Sequence, residues 1–370
     1  MLVRVEVAEL REALNKILSV VDKKNSRVIL SYVNIIAKDS SLDLLATDLE
    51  VSAKLKVPAI VENSGNLCVN ARNIFDIVRE LPDQTVSLEL VSGQNTLKIT
   101  CGNIHYSVLI YTNEEFPHLQ FNSNNQFEIN SDKLLEVINK TSHAISNDET
   151  RLFLNGIFLQ EIDSKLRAVA TDGYRLALVE TEVDVYNIDT LINGIIIPKK
   201  GVAELKKLSE NFMDKKIQLS VDDSFIYASF EEKYFLSIRL IAKEYLKYQA
   251  VIPKKTTYTA EIYKSQLTDA VRRIKIMANE RSNGVKLAFR ADELIISANH
   301  PSLGEATEKI NINYSGKDID IGFNAKFLLE MLPTFESEEI GFEFNNELSP
   351  ILIKSHKSSN YLGIIMPLKL

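Results

Sequence analysis

The chain has 370 residues, 45% of them hydrophobic and 25% charged, with 13 glycines, 9 prolines, 2 cysteines and a formal net charge of −7. That length holds two or three ordinary cores, and the composition excludes a disordered, collagenous or disulfide-stapled chain. Arg4, Glu6, Glu9, Arg11 and Glu12 interrupt the start, and no apolar run approaches the roughly 18 residues of a membrane span, so neither export signal nor membrane partner is expected. Cys68 and Cys101 are expected as buried thiols in a reducing cytoplasm, a Cys68–Cys101 disulfide being the alternative. The negative total argues only weakly against nucleic acid, because the placement of Lys and Arg decides affinity.

The first predicted helix carries Leu10, Ala13, Leu14, Ile17, Leu18 and Val21 on one face, at offsets 0, 3, 4, 7, 8 and 11. Leu42–Asp48 follows as a strand running into a polar turn. Val69-Asn70-Ala71-Arg72 reads as a strand end entering a short helix, with Asn70 as N-cap and Asp76 four residues after Arg72. Alternating strands Val86–Leu90 and Thr96–Cys101 close the series.

The same elements then recur in order. Leu134, Val137, Ile138, Thr141, Ser142 and Ile145 repeat the helix offsets, and Leu166–Asp172 repeats the strand and turn after 124 residues. Ile197-Pro198-Lys199-Lys200 repeats the strand end, with Pro198 suited to a helix start and Glu204 four residues after Lys200. Ile217–Val221 and Phe225–Phe230 are its closing strands. The third copy has Leu267, Ala270, Val271, Ile274, Lys275 and Ala278, then Leu294–His300 after 128 residues. Phe323-Asn324-Ala325-Lys326 comes next, with Asn324 as N-cap and Glu330 as the acid, before Ile340–Phe344 and Ile351–Ser355.

Three elements recurring in one order at one period define the organisation. The fold class is α+β: three similar domains in tandem, each with two helices packed on antiparallel sheet, at 1–122, 123–250 and 251–370. Phe121–Gln126 and Lys254–Thr257 are the expected linkers. On the polar side of the first helices stand Asn15 and Lys16, Asn139 and Lys140, Arg272 and Arg273. Arg72, Arg79, Lys199, Lys200, Lys206, Lys207 and Lys326 add charge from the second helices. In an arc with its helices inward, these residues would line a positive surface that meets duplex phosphates without reading sequence. For any one of them, the alternative is ordinary solvated surface.

Ala170-Thr171-Asp172-Gly173-Tyr174-Arg175-Leu176-Ala177, preceded by Glu149–Gly156, resembles the middle-domain signature of the bacterial DNA polymerase III β subunit family. The ending Ile364–Leu370 is similar to that family's Met-Pro-x-Arg-Leu terminus, and Tyr314-Ser315-Gly316 and Ile321–Asn324 fit its third domain. The resemblance implies a DNA-clamp fold forming half of a closed ring, a head-to-tail homodimer around double-stranded DNA. It further implies a clamp loader that opens the ring, and replicative polymerase and other clamp-binding-motif proteins that dock short peptides. By matched position the peptide pocket would comprise Leu154, Thr171, Gly173, Tyr174, Arg175, Leu176, Leu246, Val251, Asn324, Phe327, Leu348, Pro350, Met366, Pro367 and Leu368. The DNA contacts would be Lys24, Arg72, Arg151, Lys199, Lys200 and Lys207. The dimer interface would be Tyr106 and Val108 against Ile276 and Met277. Departures are Tyr245-Leu246-Lys247-Tyr248, where the family carries Phe-Pro-acidic-Tyr, Ala250 in place of a basic residue, and Lys369 in place of a terminal arginine.

An enzyme is the main alternative, and its signatures are missing from the sequence: no GxxxxGK[ST], GxGxxG, HExxH, GxSxG or paired CxxC occurs. No catalytic residue, metal or cofactor is expected. His105, His118, His143, His300 and His356 are scattered. Asp318-Ile319-Asp320 reads as one solvent-facing strand side before it reads as a metal pair. A repeat scaffold that binds proteins without DNA is the second alternative.

Overall fold

A computed structural model describes residues 1–21, 27–91, 93–111, 116–122, 126–183, 188–355 and 360–369. Lys24, the centre of the first expected linker, His356 and Leu370 lie outside the described residues. The three first helices are Val7–Ile17, Ser131–Thr141 and Lys264–Ile274. Each starts three residues before its apolar series. The series outlasts the helix because its last members sit in tighter turns, such as the 3₁₀ segments Ser142–Ala144 and Lys275–Met277. Leu10, Ala13, Leu14 and Ile17 are buried as the periodicity requires. The second helices are Ala71–Glu80, Lys199–Asn211 and Ala325–Met331. Asn70 and Asn324 cap theirs, accepting from Asn73 N at 3.1 Å and Lys326 N at 2.9 Å. A short helix, Asp189–Asn193, precedes the middle one and has no counterpart in the sequence pattern.

The chain packs as two compact units that cut across the threefold repeat. One comprises 1–131 with 203–240. The other comprises 132–202 with 241–370. Strand pairing explains the division. In the first unit Tyr234–Arg239 joins Val51–Pro58, with Ile238 opposite Val51, inside a thirteen-stranded antiparallel sheet. In the second, Arg175–Glu182 joins Tyr361–Ile365, with Leu176 opposite Ile364, inside an eight-stranded sheet. The middle repeat thus lends strands to both units. A separate four-stranded sheet of the second unit ends on the edge strand Gly304–Asn311.

Leu10, Leu14 and Ile17 anchor the first core, and Phe289, Phe323, Phe342 and Phe344 the second. Each such side chain contributes roughly 1.5–3 kcal/mol on burial. Cys68 and Cys101 are both buried and both free, which overturns the disulfide alternative. Burial pushes the Cys68 thiol up to about 11, so it stays protonated at neutral pH.

Candidate functional site

The strand Lys165–Thr171 ends in a turn built from its own side chains. The Thr171 hydroxyl donates to Arg175 O at 2.6 Å and accepts from Gly173 N at 3.1 Å. Asp172 Oδ1 accepts from Tyr174 N and Arg175 N at 2.9 and 3.0 Å. Gly173 sits at φ +91°, and a Cβ there would lie 2.9 Å from Arg151 Nη1, so both backbone and space favour glycine. Arg151 Nη2 also donates to Asp172 O at 3.2 Å. The turn leaves Tyr174 61% exposed and folds the Arg175 side chain inward.

Arg175 is the pivot of the site. Its Nε donates to Asp172 Oδ2 at 3.1 Å and its Nη1 to Glu330 Oε2 at 2.6 Å. The guanidinium lies 4.4 Å from the ring centroid of Phe327. Phe327 and Glu330 belong to the helix capped by Asn324, so one arginine ties the turn of the middle repeat to a helix of the last. Met366 N donates to Tyr174 O and Leu368 N to Gly322 O, both at 2.8 Å, which pins half-buried Met366-Pro367-Leu368 beside the turn.

Beneath lies one apolar cluster. Buried Leu154, Phe158, Val169, Leu176, Leu178, Ile196, Tyr245, Tyr248, Leu352 and Ile364 form it, and half-buried Phe153, Ile241, Leu246, Ile252 and Leu362 pack against it. Tyr245 stacks on Phe158 with centroids 4.6 Å apart and planes 5° apart. The Tyr248 hydroxyl accepts from Arg167 Nη1 at 3.3 Å, and Arg167 is paired with Glu180. Burial raises the Tyr245 hydroxyl pKa above the usual tyrosine range. Leu348 is 73% exposed, on a turn where Asn346 Oδ1 accepts from Leu348 N at 2.9 Å and Ser349 N at 3.0 Å.

Of the expected pocket residues, the structure gathers Leu154, Leu176 and Leu246 in the cluster. It gathers Thr171, Gly173, Tyr174, Arg175, Phe327 and Met366 about the turn. Val251 follows Tyr248 in a 3₁₀ turn, its N donating to Tyr248 O at 3.0 Å, and Pro350 is half-buried. The sequence reading missed Tyr245 and Tyr248 as members. Their signal was an aromatic pair bracketing Leu246 in a polar connector.

His143 is also adjoined to the site. Both ring nitrogens are buried without a protein partner, and burial followed by the Arg175 charge brings its pKa down to about 4. The imidazole is therefore neutral at physiological pH. Asp318 and Asp320 both pair with Arg290, at 3.4 and 2.6 Å, and Asp320 also with Lys286 at 3.4 Å. Among the described residues no group of three His, Cys, Asp or Glu could hold a metal ion.

The DNA polymerase III beta subunit matches this chain in three successive stretches: its N-terminal domain over residues 1–120, its central domain over 128–247 and its C-terminal domain over 249–369. A beta sliding clamp from Rickettsia bellii is 30% identical, covering 99% of this chain and 98% of that protein. The chain belongs to the DNA polymerase III beta subunit family. Solved structures agree. A DNA polymerase sliding clamp from Bacillus subtilis superposes with a TM-score of 0.95 at 26% identity, covering 100% of this chain and 99% of that one. A DnaN sliding clamp from Bartonella birtlesii, bound to griselimycin, gives 0.94 at 29% identity over 100% of both chains. Family membership makes the chain a sliding clamp, a replication processivity subunit and not an enzyme.

The basic residues of this clamp chain divide between the two units. In the first, Arg72 pairs with Asp76 at 3.0 Å, and Lys207 pairs at 2.7 Å with buried Glu204, which also accepts from Ser19. In the second, Arg151 pairs with Asp148 at 2.8 Å, Lys199 Nζ donates to Asn147 at 2.5 Å, and Lys200 is the second residue of the helix that Lys199 opens. The uniform basic face expected of the first helices is corrected. Lys140 is buried between Glu136 and Glu336, while Lys16 and Arg273 are tied to Glu12 and Glu308. Desolvating an amine is costly, and two carboxylates make that burial tolerable. Tyr106 and Val108 lie on the strand Ile104–Tyr111, which meets Gly65–Asn70 only at its last two residues. On that strand Leu109 is 79% exposed; in the other unit Ile276 is 74% exposed beside Met277.

Proposed function

We propose that two copies of the chain close head to tail into a cytoplasmic ring around double-stranded DNA. A clamp loader opens it, and the replicative polymerase and other clamp-binding-motif proteins dock on it by short peptides. The observation that carries the docking half is a shelf of half-buried apolar side chains. Leu246, Ile252, Phe153 and Leu362 rest on a closed core, with exposed Tyr174 and Leu348 and the pinned Met366-Pro367-Leu368 nearby. Such a shelf has buried half of its surface already and gains the rest when a partner covers it. Each leucine or phenylalanine anchor contributes roughly 1.5–3 kcal/mol, and two anchors less ordering costs give binding on the order of micromolar. That weakness suits successive partners exchanging at one site.

Lys24, Arg72, Arg151, Lys199, Lys200 and Lys207 are the proposed DNA-facing residues, and residues 1–122, 123–250 and 251–370 the proposed domains. The ring would join the open edge at Ile104–Tyr111 of one copy, with Tyr106 and Val108, to the edge at Gly304–Asn311 of the next, beside Ile276 and Met277. Fluorescence anisotropy with a labelled clamp-binding peptide tests the docking half, using the full chain and a chain ending at Ile365. Saturable micromolar binding lost on truncation supports it, and equal affinity for both proteins contradicts it. Sedimentation at micromolar concentration tests the ring, and a monomer alone contradicts it.

A further inference from the structure

Resting on the ring reading, we propose that Leu109 packs against Leu303 of the next copy, in a strand register that the two joints inside the chain already display. Each repeat begins alike: Val3, Phe127 and Ala260 stand four residues before their helix starts, opposite Leu88, Leu219 and Phe342. Those three pair with Ile99, Ala228 and Ile353, and these in turn with Tyr106, Leu236 and Gly363. Tyr106, Leu236 and Gly363 therefore hold one position in the three repeats. On the facing side, the hairpins pair Ala46 with Ala53, Ala170 with Ala177 and Ala298 with Ala306. Ala53, Ala177 and Ala306 correspond in the same way.

Both internal joints bring these two positions together. Leu236 lies opposite Ala53, and Gly363 opposite Ala177. The same two backbone bonds, all at 2.8 Å, bound each joint. In the first unit Arg239 N donates to Glu50 O and Lys56 N to Lys233 O; in the second Met366 N donates to Tyr174 O and Glu180 N to Asn360 O. Carried to the open edges, this register sets Tyr106 opposite Ala306 of the next copy and Val108 opposite its Gly304. A slip of one residue would turn Tyr106 and Val108 to the other face of the sheet. One step further along, where the internal joints have Arg239 with Glu50 and Met366 with Tyr174, Leu109 meets Leu303. These two leucines are 79% and 64% exposed on the single chain. Their mutual burial removes both from water at each joint, and salt does not screen that gain as it does an exposed ion pair.

The test uses the full chain with paired cysteines, mild oxidation and non-reducing electrophoresis. Directly opposite residues place their Cα atoms about 4.5–5.5 Å apart, within disulfide reach, whereas diagonal ones stand about 7–8 Å apart. Tyr106→Cys with Ala306→Cys, and Leu109→Cys with Leu303→Cys, should each give a covalent dimer. The diagonal pair Val108→Cys with Ala306→Cys should give little, and the parent none, because Cys68 and Cys101 are buried. Leu109→Ser, at a position exposed on the single chain, should raise the dimer dissociation constant by about tenfold or more at low and high salt alike, with circular dichroism verifying the fold. Faster crosslinking through the diagonal pair, or none through either opposite pair, overturns the register and leaves a dimer seen by sedimentation standing. A Leu109→Ser dimer as tight as the parent's overturns the leucine contact. A parent chain that sediments only as monomer removes the ring reading, and the inference with it.

Discussion

Replacing Arg175 by methionine removes the charge that joins the Thr171–Arg175 turn to the helix Ala325–Met331. Breaking a fully buried ion pair from one side costs about 3–5 kcal/mol. Here the cost is smaller. Glu330 keeps access to water and has Lys326 at 3.8 Å, and Asp172 keeps two backbone donors. Stacking on Phe327 adds about 1 kcal/mol, and methionine fills part of the space. The expected loss is about 2–3 kcal/mol, which lowers the melting point of the unit holding Arg175 by roughly 5–10 °C. Arg175→Lys keeps the charge but loses the fork and the stacking, and should fall between the two. Differential scanning calorimetry reads the stability, and the Glu330→Gln background closes a double-mutant cycle with a coupling of about 1–2 kcal/mol. A melting point of Arg175→Met within about 1 °C of the parent, or strict additivity with Glu330→Gln, would refute this account of the joint.

Further outcomes follow from the same geometry. His143 has a folded pKa of about 4 against about 6.5 unfolded, so the unfolded chain takes up the proton first. Its contribution is complete above pH 6.5 and is lost as the pH falls toward 4, by about 3 kcal/mol in all. A His143→Phe variant should flatten urea stability between those two pH values, and an unaltered profile would remove His143 as the cause. Gly173→Ala should cost about 1–2 kcal/mol, chiefly through the left-handed backbone, because the arginine end it meets is able to move; thermal melts that match the parent would contradict this. Lys199→Glu with Lys200→Glu should slow loading onto DNA while sedimentation still reports a dimer, and an unchanged loading rate would take both residues out of the DNA path.

Local periodicity made the helices legible, because Leu10, Ala13, Leu14 and Ile17 must share a buried face whatever the rest of the chain does. The caps at Asn70 and Asn324 were legible for the same reason, being bonds within three residues. Pairing between repeats was not. Val51 meets Ile238, and Leu176 meets Ile364, through registers chosen by packing over long sequence separations. The Thr171–Arg175 turn was visible in the sequence, but on spacing alone it reads as a plain turn; its importance comes from Glu330 and Phe327, which only the fold brings beside Arg175. The basic stripe failed at Lys140 because a helix position that faces solvent in one repeat faces a carboxylate of the next repeat in another.

The most direct test of the clamp reading is retention on DNA with and without free ends. The chain is loaded by a clamp loader onto nicked circular DNA, the complex is isolated by gel filtration, and the circle is then cut once. A topological link predicts that the chain stays with the intact circle at salt high enough to screen phosphate contacts and leaves once the DNA is linear. Equal retention on circular and linear DNA, or loss from the intact circle as salt rises, would show ordinary ionic binding and contradict the ring.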